Sequence, residues 1–151
     1  MSTKILFPAI AGSLLAIMAV YFIINPSYRK SIEAKYYFEI GKYDEAYVLA
    51  NEAFSLDLYN RMASTIMAQS KTSLKYLKYV NQAKDYMKQI DKIAQAKTIS
   101  DASKAKIKMM SKIMVDSYIK LAPSIITDKE LVDEAATYYK NFEQLLEKVD
   151  R

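Results

Sequence analysis

The feature that most constrains this chain is a run of twenty residues without a charge near its start. Residues 5–24 read ILFPAIAGSLLAIMAVYFII. At about 1.5 Å of rise per residue, a helix of this length spans about 30 Å, the hydrocarbon thickness of a bilayer. Pro8 falls in the first turn, where its missing N–H is tolerated, and Tyr21 and Phe22 come near the far end, where aromatic rings favour the interface. We therefore predict that residues 1–25 are a membrane anchor and that residues 5–24 cross the lipid bilayer.

The alternative interpretation of this run is a cleaved signal peptide. Only Lys4 and the terminal amine precede the run, and the run is longer than the apolar region of about 7–15 residues in a typical signal peptide. Ala9 and Ala11 have the spacing of a cleavage site but come too early to follow such a region. These observations favour an anchor that is retained.

The charges on either side of the run bear on its orientation. Lys4 and the amine lie on one side, whereas Arg29, Lys30, Lys35 and Lys42 follow on the other. The positive-inside rule then predicts that the C-terminal part is cytoplasmic rather than periplasmic. The usual topology of a signal anchor would place the same part outside, and both orientations stay open.

The composition excludes several classes of protein. The chain has two glycines, three prolines and no cysteine, histidine or tryptophan. So few turn-forming residues argue against an all-β fold, and without Cys or His there is no thiolate or imidazole metal site and no Ser–His or Cys–His pair. No phosphate-binding glycine loop, nucleophile elbow or close carboxylate pair is evident. We predict no catalytic residue, no cofactor and no metal, and hence a protein that is not an enzyme.

Apolar residues at steps of three and four predict an all-α fold, in which the transmembrane helix precedes a stack of about five or six antiparallel helices in residues 26–151. Asn25 and Pro26 form a cap and a first helical position, and Gly41 is suited to end the helix that they open. A second helix is predicted over residues 43–55.

The helical pattern continues beyond that pair. We expect a break near residues 70–73, a new helix capped by Ser100 and ended by Pro123, and a last helix opened by a capping box of Thr127 and Glu130. No stretch alternates with period two, so no strand is predicted.

The segment GKYDEAYVLANEAFSLD, residues 41–57, resembles the tetratricopeptide repeat (TPR), a helical pair of 34 residues. Small residues at fixed positions let two antiparallel helices approach closely, and a glycine makes the turn between them. The resemblance implies a TPR-like domain over residues 26–151. The positions that match the family's packing residues are Ala34, Tyr37, Gly41, Tyr43, Ala46, Ala50 and Ala53.

The match covers about one unit, residues 27–60. Large residues of the family fall at Lys30 and Glu33 here, and its closing proline falls at Leu58; a helical hairpin in an unrelated bundle is the alternative. In the family the first helix of each pair lines a concave binding surface. By register, the candidate partner-binding groove consists of Tyr28, Ser31, Lys35, Phe38 and Glu39.

The charge is unevenly distributed along the chain. Residues 61–127 hold thirteen basic and four acidic residues, whereas the segments on either side of it beyond the anchor are net acidic. The basic residues form helical stripes, which indicate either a solvated face or attraction to an anionic lipid surface or acidic protein. Nucleic acid is not expected as a partner, because the cations are almost all lysines and no recognition motif accompanies them. The candidate basic surface consists of Lys71, Lys75, Lys78, Lys104, Lys108 and Lys112.

Over most of its length the chain also resembles short motility integral membrane proteins of polar-flagellated bacteria of the epsilon group. The resemblance is carried by the anchor, by IEAKYYFEIGKYDEAYVLANEAFSLD and by YNRMASTIMAQS, in that order. It implies a single-pass protein of the bacterial inner membrane that acts as an assembly factor, scaffold or chaperone for the flagellar motor stator. A competing resemblance is to the anchored TPR protein that accompanies the Sec translocon.

Together these patterns predict a membrane-anchored adaptor that binds one or more partner proteins through a TPR-like domain. Two alternatives remain: an ancillary chaperone of the translocon, and a small integral subunit that binds its complex through the transmembrane helix.

Overall fold

The computed structural model describes residues 3–96 and 98–149, and every regular element in that part of the chain is an α-helix, as predicted. The chain divides into two compact units after Ser70. The first unit contains the start of α4, and the second contains its continuation with α5 and α6. The helices are α1 (Thr3–Ile24), α2 (Pro26–Glu39), α3 (Tyr43–Leu56), α4 (Arg61–Ala94), α5 (Asp101–Tyr118) and α6 (Lys129–Val149).

Helix α1 carries the predicted membrane segment. Leu6–Ile24 has a mean hydropathy of 2.2, and none of it is buried against the rest of the protein. Among the described residues it is the one helix that is long and apolar enough to cross a membrane. Such a helix at the N-terminus has the property that an anchor requires, and a signal sequence shares that property.

The junction between α1 and α2 is a single residue, Asn25. Its side-chain oxygen accepts a hydrogen bond from the amide of Ser27 at 3.0 Å, which makes Asn25 the N-cap of α2 as predicted. The ring of Tyr28 packs edge-on against Phe22 of α1, with 4.8 Å between the ring centroids. Because one residue joins the two helices and their rings are in contact, the start of α2 lies directly beside the end of the candidate membrane segment.

Helix α2 ends in a Schellman motif that turns the chain back into α3. Gly41 has a φ of +78°, a conformation that glycine adopts without strain. The amide of Gly41 donates to the carbonyl of Phe38, and the amide of Lys42 donates to the carbonyl of Tyr37. The two helices that leave this turn are antiparallel, since a hydrogen bond joins Ser27 at the start of α2 to Ala53 near the end of α3.

Small side chains form the interface of α2 with α3. Ala34, Ala46, Ala50 and Ala53 have no exposed surface. Because an alanine side chain is a single methyl group, two helices can approach closely where alanines face each other. Ile66 of α4 joins this cluster, so the start of α4 completes the core of the first unit.

A buried polar network also ties α4 to α2. Asn60, which precedes α4 and is fully buried, donates from Nδ2 to the hydroxyl oxygens of Ser27 and Ser31, both at 2.8 Å. Its Oδ1 accepts from the amide of Ala63 at 3.1 Å and so caps α4. The two serines donate in turn to the carbonyls of Ala53 and Ser27. All four side-chain hydrogens of the network therefore have acceptors.

The second unit packs around aromatic and methionine side chains. Met114 of α5 and Phe142 of α6 are fully buried. Tyr118 lies between Tyr79, at 5.7 Å between ring centroids, and Tyr139, on which it stacks at 4.4 Å. Three helices, α4, α5 and α6, thus contribute to one aromatic contact.

Two sequence-based boundaries are wrong. Helix α4 continues without a break through residues 70–73; Ser70 and Ser73 are fully buried, and side chains this small fit a packed helix face. Thr127 does not cap the last helix, because its hydroxyl oxygen accepts from the amide of Ser124 at 2.9 Å. Asp128 instead accepts from the amide of Glu130, immediately before α6 begins.

The predicted end of the helix that Ser100 caps also differs from the observed one. Helix α5 begins after Ser100, which accepts from the amide of Ser103 as a cap. It ends at Tyr118, so Pro123 lies inside the following loop rather than at the helix end.

Candidate interaction surfaces

The five residues of the candidate groove differ in exposure. Lys35 and Glu39 are exposed, and Tyr28 and Phe38 are half-buried. Ser31 has no exposed surface, because its hydroxyl belongs to the network with Asn60. Of the five, Lys35 and Glu39 are thus the side chains most open to a partner.

The two aromatic members of the groove are held by aromatic neighbours in the same unit. Tyr28 packs on Phe22, and the ring of Phe38 meets that of Tyr43 edge-on at 5.4 Å. Phe38 also packs against the alanine cluster. These rings fix the geometry of α2 relative to its neighbours and expose only part of their surface.

A cleft of about 380 Å³ lies between α2 and α3 in the first unit, at residues that the sequence did not single out as a binding surface. Its apolar part includes Val48, which is 54 % exposed although it is aliphatic. Three carboxylates stand around the apolar part. The lining residues are Glu33, Tyr37, Asp44, Glu45, Val48 and Leu49.

The chemistry of this acidic cleft favours a partner segment that is both basic and apolar. Val48 and Leu49 offer apolar surface, and the carboxylates of Glu33, Asp44 and Glu45 offer acceptors for lysine or arginine. Asp44 and Glu45 also lie in the first turn of α3, where their charge stabilises the helix. The sequence does hold one indication of this cleft. Val48 follows Asp44 and Glu45 by four and three residues, and this spacing places all three on one face of α3.

Part of the predicted basic surface lines a second cleft, in the second unit. This cleft has a volume of about 370 Å³ and is lined by Lys75 and Lys78 of α4 and by Lys120. Gln82, Ser117 and Leu121 complete this basic cleft together with Tyr79. The other members of the predicted surface are exposed but do not line it: Lys71, Lys104, Lys108 and Lys112. Lys120 was not predicted, because it follows α5 and does not continue the helical stripe.

Tyr79 is the buried member of the basic cleft. It is 4 % exposed, and its hydroxyl has no hydrogen-bond partner among the described residues. Burial raises the pKa of Tyr79 well above the ordinary 10.0, and the neighbouring Tyr118 and Tyr139 raise it further. Burial thus favours the uncharged phenol of Tyr79 in the folded protein.

Within the described part of the chain, no group of three or more His, Cys, Asp or Glu side chains could hold a metal ion. No family model, no curated protein and no solved structure matches the chain.

Proposed function

We propose that this protein is a non-enzymatic adaptor of the bacterial inner membrane, held by α1 and binding a partner protein through its first unit. The apolar α1 supports the anchor, and the single-residue junction at Asn25 supports a binding surface held next to the bilayer. A partner that is itself embedded in the membrane would meet that surface with a segment just outside the bilayer.

The acidic cleft carries the proposal. It combines exposed apolar surface at Val48 with three carboxylates on a helix pair that packs through buried alanines. An exposed apolar patch with a charged rim is typical of a protein-binding surface. We infer that the partner contributes a segment with a lysine or arginine next to an aliphatic side chain.

The cellular role that we propose is in flagellar motility, as a scaffold or chaperone of the motor stator. This part of the proposal rests on the resemblance of the anchor and the IEAKYYFEIGKYDEA segment to motility integral membrane proteins. The excess of basic residues after α1 supports a cytoplasmic location for the two units.

Charge reversal on α2 tests the proposal. We compare Glu33→Lys, in the acidic cleft, with Glu39→Lys, an equal change of charge on the same helix outside the cleft. Swimming should be lost in the Glu33 variant, with flagella assembled and the protein present at its normal level. If only Glu39→Lys stops swimming, the predicted groove is the binding surface. If neither variant affects swimming or any other membrane function, the adaptor proposal is wrong.

The two alternatives make different predictions for the same strains. A translocon role predicts that deletion of the gene causes defects in envelope proteins, whereas a motor role predicts that deletion stops swimming and leaves flagella and secretion intact. Replacement of residues 5–24 by an unrelated transmembrane helix should preserve function if the first unit binds the partner. Loss of function with the protein still in the membrane would favour binding through α1.

A further inference from the structure

The loop between α5 and α6 carries two isoleucines at the tip of a tight turn. The amide of Thr127 donates to the carbonyl of Ser124 at 3.0 Å, which closes a four-residue turn. The hydroxyl of Thr127, which is 9 % exposed, accepts from the amide of Ser124 and holds the turn from inside. Ile125 and Ile126 occupy the two central positions and are 104 % and 56 % exposed.

Isoleucine at the tip of a solvated turn is unusual. Gly, Pro, Asn, Asp and Ser dominate such positions because they suit the backbone and the solvent. Here the hydrogen bonds of Ser124 and Thr127 fix the turn, while both central side chains contribute apolar surface to the outside. Ile119, at the end of α5, is also 73 % exposed.

The basic cleft adjoins the same loop. Lys120 and Leu121, which lead into the turn, line the cleft together with Lys75 and Lys78 of α4. Asp128 and Glu130 follow the turn with Lys129 between them, and Asp128 accepts from the amide of Glu130 at the N-terminus of α6. Ile125 and Ile126 thus belong to a loop whose first residues share a cleft with two lysines of α4.

We propose that this turn inserts into the surface of an anionic bilayer, with Ile125 and Ile126 among the acyl chains and Lys75, Lys78 and Lys120 at the phosphate level. An apolar tip beside clustered lysines is the combination that favours an anionic membrane surface. The anchor α1 would keep the protein at a membrane.

A single tryptophan tests the proposal, since the chain has none. The full-length Ile125→Trp variant is reconstituted in vesicles of phosphatidylcholine with an equal part of phosphatidylglycerol, with bromine on the acyl chains. The matched control is Ile99→Trp, at an exposed position before the other end of α5. The 18 residues of α5 separate the two positions by about 27 Å of helix.

The tryptophan at position 125 should show blue-shifted emission and strong quenching by the brominated lipid, and the one at position 99 should show neither. Removal of phosphatidylglycerol should weaken the quenching at position 125. In the Ile125→Trp background, each change of Lys75, Lys78 or Lys120 to Gln should lower the ratio of docked to free turn by about fivefold. The same change at Lys104 or Lys112, which do not line the basic cleft, should have a smaller effect.

Three results would overturn the proposal. The tryptophan at position 125 could remain open to acrylamide in anionic vesicles, or it could be shielded without quenching by lipid, which would indicate a protein contact. The third is shielding that increases with the ratio of protein to lipid, which would indicate a second copy of the chain. None of these results bears on the acidic cleft, so they leave the adaptor proposal unaffected, and that proposal is tested by the Glu33 and Glu39 variants.

Discussion

Substitution of Asn60 by alanine should loosen the whole first unit, because this one side chain joins α2 to α4. The change removes two buried hydrogen bonds of 2.8 Å, to Ser27 and Ser31, and the cap on the amide of Ala63. At about 1 kcal/mol net for each buried bond and about 1 kcal/mol for the cap, the loss is about 3 kcal/mol. The serines keep acceptors for their own hydrogens, whereas the buried amide of Ala63 loses the oxygen that caps it.

A second variant separates the cap from the cross-link. Asn60→Ser retains a side-chain oxygen that can cap α4 but is too short to reach the serines of α2. We therefore expect a loss of about 2 kcal/mol, from the two cross-linking bonds alone. Asn51→Ala, an exposed position on α3, is the control and should stay within about 0.5 kcal/mol of the original protein.

Native-state hydrogen exchange of the full-length protein in mild detergent measures these differences. The amides of Ala46 and Ala50 lie in the buried interface of α2 with α3, and they exchange when that interface opens. Exchange there should be about a hundredfold faster in Asn60→Ala and about thirtyfold faster in Asn60→Ser. If Asn60→Ala exchanges no faster than Asn51→Ala, the network does not hold the first unit together.

Three further predictions concern single positions. Gly41→Ala should destabilise the first unit by about 1 kcal/mol in a urea titration, because its φ of +78° strains any residue with a Cβ; an unchanged midpoint would contradict this. Ala50→Leu should cost about 1–3 kcal/mol by the same assay, since Ala50 is fully buried and a larger side chain overpacks such an interface, whereas the exposed Val48→Leu should cost little. Burial raises the pKa of Tyr79, so its unfolded form loses the proton near pH 10.0 while the folded form retains it; its titration therefore leaves stability unchanged below pH 10 and lowers stability as the pH rises above it. Tyr79→Phe should reduce that alkaline loss, followed by circular dichroism, and should leave neutral stability equal or higher because a buried hydroxyl without a partner is removed; an unchanged alkaline loss would refute the assignment.

Local signals in the sequence predicted the first unit well. Asn25 caps the start of α2 with its side chain, Pro26 is the first residue of the helix, and Gly41 ends it with a positive φ. These local properties hardly depend on the rest of the fold. The small residues at Ala46 and Ala50 likewise lie in the buried interface. Caps and turns involve only a few neighbouring residues, and buried helix positions recur every three or four residues, so both can be recognised in a sequence.

What the sequence did not predict depends on contacts between distant residues. Asn60 looks like an ordinary cap until α2 places two serines beside it, 29 and 33 residues earlier in the chain. Thr127 satisfies the pattern of a capping box, but Ser124 competes for its hydroxyl. The basic cleft needs Lys120 from beyond the helical stripe, so periodicity alone could not find it.

The most direct test of the account is a photo-crosslink from the acidic cleft in intact membranes. A benzophenone amino acid at Val48 should link the protein to one partner, which then runs as a single discrete band. The same group at Asn51, exposed on α3 outside the cleft, should give little or no such band. Equal crosslinking from both positions, or none from Val48 in a membrane preparation that retains the protein's function, would contradict the claim that it works by binding a partner through this surface.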